Sequence, residues 1–327
     1  MAANKVPRVV LGCATTGPPR TNSARVTTIE GTKAMFQTLQ LHGYTELDTA
    51  RMYNHGKQEA FTRETDVLNE GFTMATKVYP LQAGMHKPEK LRQTFETSLQ
   101  ELGQRSIEVF YLHAPDRSVP YEETLDEVNK FYEEGQFKIF GLSNYAAWEV
   151  AQIAEICISR QWVRPRVYQG MYNALTRGLE EELVPCCRYY GINILAYNPL
   201  AGGVLSGRYE SCEIPKEGRF SDVEGNTSAK IYRDRYFNQV YVDAVNRLKP
   251  VTEKHGLTLI ETAYRWLVHH SKLRPFDGDG IVIGASSIEQ LDSNLKDLKK
   301  GPLPDEVVQA LNEAWHLTRA VAKTYWR

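Results

Sequence analysis

The chain has 327 residues, 42% of them hydrophobic and 24% charged, with 39 Lys and Arg against 40 Asp and Glu for a net charge of −1. Such a composition supports a sizeable core and excludes disordered, fibrous and collagen-like classes. The balanced charge gives no bulk pull toward nucleic acid or anionic lipid, so the expected partner is a small molecule. In chain order, the first candidate strand is VVLG (9 to 12). The turn after it reads GCATTG, with glycines five apart, which lacks the G-x-G-x-x-G of a doubly wound dinucleotide fold and weakens that alternative. Further strands follow at TELDTA (45 to 50), FTMATKV (72 to 78), IEVFYLH (107 to 113), IFGLSN (139 to 144), VYQGMYN (167 to 173), NILAYN (193 to 198) and IVIGAS (281 to 286).

Between these runs lie helical patterns, such as Leu91, Phe95, Leu99 and Leu102, whose spacings of 4, 4 and 3 put one apolar stripe on one face. Alternating strand and helix requires a parallel sheet, and a count of eight favours closure into an α/β (β/α)8 TIM barrel over an open sheet. Residues 208 to 236 are polar, rich in Gly and Arg and too long for an ordinary connection, so they are expected to be a loop insertion over one face. From Pro302 the Leu303, Val307, Leu311, Trp315 periodicity predicts a C-terminal helix followed by an irregular tail, AVAKTYWR. No linker divides the chain, so 1–327 is expected to be a single domain.

Cys13, Cys157, Cys186, Cys187 and Cys212 form no C-x-x-C pair, which points to reduced thiols and no metal site. The N-terminal MAANKVPRVVLG has no apolar region of signal-peptide length, and no apolar run reaches about 18 residues. A cytoplasmic chain with no membrane span is expected.

In a barrel, chemistry sits at the C-terminal ends of the strands. Asp48 closes TELDTA, Tyr53 follows five residues later, Lys77 closes FTMATKV and His113 closes IEVFYLH. An ammonium beside a phenol favours the phenolate, so Lys77 is expected to lower the Tyr53 pKa from about 10. A carboxylate beside Lys77 would keep it charged in an apolar mouth, and His113 would orient a substrate carbonyl. Together the four describe a proton donor for carbonyl reduction or its reverse.

The segments ELDTARMYNHGKQE (46 to 59), MATKVYP (74 to 80), FYLHAPD (110 to 116), GLSNY (141 to 145), YQGMYNALTR (168 to 177), AYNPLAGGVLSGRY (196 to 209) and IGASSIEQLDSNL (283 to 295) together resemble the aldo-keto reductase superfamily. YQGMYN, NPLAGGVLSGRY and the aromatic-Arg C-terminus resemble its aflatoxin aldehyde reductase and succinic semialdehyde reductase subfamily. The resemblance implies NADPH and a catalytic tetrad of Asp48, Tyr53, Lys77 and His113. It implies Ser143, Asn144 and Gln169 on the nicotinamide carboxamide and Tyr197 against the ring. Over the pyrophosphate it places the run Asn198 to Arg208, including Leu200, Gly202 and Gly207. Ser286, Ser287, Gln290 and Asn294 match the adenosine 2′-phosphate site; relatives often place Lys or Arg there, so the charge for NADPH is sought in Arg208 and Arg219. For substrate it points to Tyr232, Arg235 and Arg327, whose guanidinium forks suit aldehydes that carry a carboxylate. A homodimer is implied as well. One departure is Gln58, which stands where Ser is usual after the catalytic Tyr and weakens the expected helix start. Two rival readings remain: a lyase forming a Schiff base on Lys77, and a nucleotide-binding regulatory subunit without turnover.

Overall fold

A computed structural model describes residues 6–21, 24–223 and 228–327. Eight parallel strands pair strictly in chain order, and the last pairs with the first to close a barrel. They are β1 (Arg8–Gly12), β2 (Glu46–Asp48), β3 (Thr73–Val78), β4 (Ile107–Leu112), β5 (Phe137–Ser143), β6 (Pro165–Met171), β7 (Asn193–Tyr197) and β8 (Gly280–Ile283). Each predicted strand is present, with its ends either matched or shifted by up to three residues.

Side chains alternate across each strand. Val10, Ala75, Val109, Tyr111, Val167, Leu195 and Val282 pack together as one cluster, and the intervening Val9, Leu11, Leu47, Met74, Phe110 and Leu112 belong to a second, larger one shared with the helices. The sheet is therefore buried on both faces, which explains why its strands read as apolar runs rather than alternating ones.

The surrounding helices are α1 (Ile29–Leu41), α2 (Gln58–Arg63), α3 (Pro88–Leu102), α4 (Tyr121–Glu133), α5 (Ala147–Arg160), α6 (Leu183–Tyr190), α7 (Ala229–Tyr236), α8 (Gln239–Lys254), α9 (Leu259–His269), α10 (Ile288–Asp297) and α11 (Asp305–Thr318). On α3, Leu91, Phe95, Leu99 and Leu102 are all buried, as their spacing requires. Thr28, Asn238, Thr258 and Ser287 cap α1, α8, α9 and α10 with side-chain oxygens that accept first-turn N–H groups.

The segment 208 to 236 is not loop throughout. Its last eight residues form α7, where Tyr236 is fully buried and meets the Tyr241 ring edge-on at 5.8 Å. Residues 224 to 227 of this segment, and residues 1 to 5 of the leader reading, lie outside the described residues. The tail after α11 is irregular but anchored: the Tyr325 hydroxyl accepts from Ala147 N at 3.0 Å and donates to Glu182 at 2.5 Å. All five cysteines are free. Among the described residues no helix is long and apolar enough to cross a membrane, and no group of three or more His, Cys, Asp or Glu could hold a metal ion.

Candidate active site

Asp48 ends β2 and Lys77 lies one residue before the end of β3, with Asp48 in register with Ala75 and Lys77 with Tyr111 of β4. Lys77 is fully buried, and an unpaired ammonium there would be very costly. It is not unpaired. Its Nζ donates to Asp48 Oδ2 at 2.5 Å and to the Thr49 carbonyl at 2.7 Å, and lies 3.5 Å from the Tyr53 hydroxyl. The same Nζ stands 5.1 Å from the centroid of the Tyr53 ring.

Tyr53 sits in a tight turn whose next two residues, Asn54 and His55, both adopt positive φ. Asn54 is buried, and its Nδ2 donates to the carbonyls of Thr16 at 2.8 Å and Ala14 at 3.4 Å, tying the turn to the loop after β1. Gln58 opens α2 without capping it. Instead its side chain turns inward: Oε1 accepts from the Thr49 hydroxyl, and Nε2 donates to Thr16 Oγ1 at 3.2 Å and Thr62 Oγ1 at 2.7 Å. The helix starts at Gln58 in spite of the missing Ser.

The expectation that Lys77 lowers the Tyr53 pKa is corrected. Burial, then the charge of Asp48, then the neighbouring Tyr232 and Tyr197 hydroxyls push it well above the ordinary 10.0. Asp48 neutralises Lys77 as seen from the phenol, so Tyr53 keeps its proton near neutral pH, which is the state a general acid needs. His113 is shifted the other way. Burial first, then the Lys77 and Arg327 charges, hold it well below 6.5, so the imidazole is neutral. Its ring meets Tyr53 edge-on at 5.9 Å and Tyr79 at 5.4 Å, and its buried Nδ1 has no hydrogen-bond partner.

Across the mouth, β5 to β8 supply polar groups of a different kind. Asn144 adopts φ +63; its Nδ2 donates to the His113 carbonyl at 2.8 Å and Ser143 Oγ at 3.0 Å, and its Oδ1 accepts from the Tyr197 hydroxyl at 2.8 Å. Gln169 Nε2 donates to Asp48 Oδ1 at 2.9 Å, which leaves its Oε1 to accept from an amide. After β7, Asn198, Gly202, Gly203 and Gly207 all have positive φ, and nothing lies within 4 Å of where a Cβ on Gly203 would stand. At Gly203 the backbone is open enough for a phosphate to approach, whereas a Cβ on Gly202 would meet the Tyr232 and Tyr236 rings at 3.0 Å. At the start of α10, Ser287 caps the helix, Ser286 and Gln290 are exposed and bonded to each other at 2.7 Å, and Asn294 is turned inward. Arg208 is exposed, and Arg219 lies over the Tyr232 ring at 4.4 Å. A carboxamide acceptor, an aromatic wall, an open glycine loop and nearby guanidinium groups fit a nicotinamide dinucleotide.

The three residues expected to meet substrate converge on the same mouth. Tyr232 from α7 acts electrostatically on Tyr53, and Arg235 hydrogen-bonds Tyr197. Arg327 lies over the Tyr79 ring at 5.7 Å with its Nη1 3.3 Å from that hydroxyl, and its backbone N–H donates to the Asn144 carbonyl at 3.0 Å. Arg233, by contrast, is turned away, bonded to the Phe220 carbonyl at 2.6 Å and paired with Asp222.

Residues 8–316 match the family model described as Aldo/keto reductase family. The chain belongs to the aldo/keto reductase family. It is 44% identical over 298 residues to an aldo-keto reductase of Pseudocercospora fijiensis, covering 89% of this chain and all of the relative. It is 40% identical to aldo-keto reductase pigE of Monascus ruber, over 97% of this chain and 96% of the other. Human aflatoxin B1 aldehyde reductase member 2 is 38% identical, over 100% and 99%. An aldo/keto reductase is an oxidoreductase, and a nicotinamide nucleotide is its general cofactor class. Within this aldo/keto reductase site two participants, Thr49 and Tyr79, escaped the sequence reading, and Gln58 was noted there only as a departure. Tyr79 was within reach, because it follows Lys77 by two residues and so shares its side of the chain. Thr49 acts through its carbonyl, which no side-chain pattern reveals.

Proposed function

We propose that this protein is an NADPH-dependent aldehyde reductase, formed by a single catalytic domain spanning 1–327, that takes small aldehydes bearing a carboxylate or several oxygens. The observation that carries the reading is the protonated Tyr53 phenol 3.5 Å from Lys77, which Asp48 holds, beside a neutral His113. Reduced nicotinamide, when bound, supplies the hydride that forms the new C–H bond. His113 donates an N–H to the substrate carbonyl and fixes its direction. As negative charge grows on the carbonyl oxygen, Tyr53 gives that oxygen its phenolic proton, and the Lys77 ammonium stabilises the phenolate left behind. Asp48 keeps Lys77 charged and in place. Ser143, Asn144, Gln169 and Tyr197 would hold the nicotinamide, Asn198 to Arg208 with Arg219 the pyrophosphate, and Ser286, Ser287, Gln290 and Asn294 the adenosine end. Tyr232, Arg235 and Arg327 would receive the substrate carboxylate. A homodimer in the cytoplasm belongs to the same reading, carried over from the subfamily resemblance.

Lys77 as a Schiff-base lysine is disfavoured by its geometry, since its Nζ is spent on Asp48 and the Thr49 carbonyl rather than turned toward a substrate carbonyl. The test follows loss of reduced-nicotinamide absorbance with succinic semialdehyde and 2-carboxybenzaldehyde. Tyr53→Phe should lower kcat by about a hundredfold or more with nucleotide affinity unchanged. Wild-type protein that binds NADPH yet turns over none of these aldehydes would instead favour the regulatory reading.

A further inference from the structure

The interior of the barrel below the tetrad holds a polar group that the chemistry above does not use. Tyr111 of β4 is in register with Lys77 on one side and Gly141 on the other, and its side chain is fully buried among Val10, Ala75, Val109, Val167, Leu195 and Val282. Its ring occupies space that only a glycine leaves: a Cβ on Gly141 would stand 2.4 Å from two of its ring carbons. Lys77 Nζ lies 5.8 Å from the ring centroid. The Gln169 side chain makes a hydrogen-bonding contact to the Tyr111 oxygen but none of good geometry, the hydroxyl proton itself finds no acceptor side chain, and Asp48, Arg8 and Glu46 act on the group by charge. A buried hydroxyl is rarely left so.

Beside it is a cavity of about 10 Å³ whose lining includes Arg8, Val10, Glu46, Asp48, Tyr111 and Leu195. That is about the room one water molecule needs, and water enters such a space only where polar partners await it. Here they do. Arg8 is spent on Glu46 at 2.6 Å and the Gly278 carbonyl at 2.9 Å, so it fixes the Glu46 carboxylate in place. Asp48 has one oxygen bonded to Lys77 and the other to Gln169, and a carboxylate keeps lone pairs beyond those two.

We propose that the barrel floor beneath Asp48 is a water-binding site, in which one buried water accepts the Tyr111 hydroxyl proton in a hydrogen bond and donates to the Asp48 carboxylate, making Tyr111 a positioning residue for the Asp48–Lys77 pair. Its consequence for catalysis rests on the reductase reading. Tyr53 is faced by Asp48, Lys77, Cys13, His113, Tyr197 and Tyr232. Among them Asp48 holds the phenol proton most tightly, and a hydrogen bond donated to Asp48 draws down its negative field. Removing that bond leaves Tyr53 a weaker acid.

The test has two arms. A high-resolution crystal structure of the wild-type protein with NADP+ bound should show one ordered water bonded to Tyr111 Oη and Asp48; a dry cavity overturns the site. Tyr111→Phe keeps the ring against Gly141 and removes only the hydroxyl. It should lower kcat roughly three- to tenfold, the reach of one indirect hydrogen bond, with KM for NADPH unchanged and the alkaline limb of the kcat profile moved up by about half a pH unit. A purely structural role would lower the melting temperature and leave the limb where it is, and that result overturns the positioning role. Should the variant fail to fold, the wild-type water still decides the site. Should wild type reduce no aldehyde, the function fails while the crystallographic arm stands independently.

Discussion

Replacing Gln58 with leucine would remove a bracket that holds three elements together behind the tetrad. The glutamine amide is fully buried and bonds Thr49, Thr16 and Thr62, so leucine of similar volume forfeits three hydrogen bonds. At roughly 0.5–1.5 kcal/mol net for each, the loss is about 1.5–4.5 kcal/mol. The Thr16 hydroxyl still donates to the Cys13 carbonyl at 3.0 Å, and the leucine gains some apolar burial, so about 2–3 kcal/mol is the expected cost. Urea unfolding at neutral pH should report that loss. Catalysis should suffer separately, because Thr49 supplies the carbonyl that accepts the second hydrogen bond of Lys77. We expect kcat to fall by about tenfold at a temperature where the variant is fully folded, with KM for NADPH little changed. A variant with wild-type stability and wild-type kcat would refute the reasoning.

His86 is buried and its pKa is pushed down to about 4 by burial, partly opposed by Asp116. The unfolded chain therefore binds a proton between about 6.5 and 4 that the folded chain refuses; stability is full above that window and falls as pH drops through it, by about 3 kcal/mol at most. Urea midpoints at pH 7 and 4.5 measure the slope, which His86→Phe should flatten. Arg327→Ala should raise KM for carboxylate-bearing aldehydes by roughly ten- to a hundredfold, the worth of one charge-assisted bond, and leave uncharged aldehydes nearly unaffected. Equal losses on both classes would remove the side chain from the carboxylate site. Gly141→Ala drives a Cβ to 2.4 Å from the Tyr111 ring and 2.9 Å from Val167, so an overpacking cost of about 1–3 kcal/mol is expected in thermal unfolding, and the added Tyr111→Leu change should recover part of it.

The barrel was legible because buried parallel strands are written as short apolar runs, and the position of a side chain at a strand end follows from the chain itself. Asp48, Lys77 and His113 could be read for that reason. Tyr53 could be read only as a phenol five residues beyond a strand end, since its position is set by a turn whose next two residues, Asn54 and His55, are left-handed. The acidity of its phenol could not be read correctly. It depends on how completely Asp48 cancels Lys77 at the hydroxyl, a matter of ångströms set by three strands at once. Gln58 was visible as an oddity but not as a bracket, because its partners come from a loop 42 residues earlier, from the end of β2 and from the next turn of α2. The helix α7 was hidden by the polar composition around it, and its buried anchor, Tyr236, carries too little periodicity to declare a helix by itself.

Asp48 touches both sides of the ring. One oxygen holds Lys77 of β3 and the other holds Gln169 of β6, across the width of the barrel. The proton side and the hydride side of the proposed reaction therefore share a single anion. A change that repositions Asp48 to adjust the acid would also turn the Gln169 amide, which we propose meets the nicotinamide. In the proposed reaction, acidity and nucleotide binding would then not vary independently.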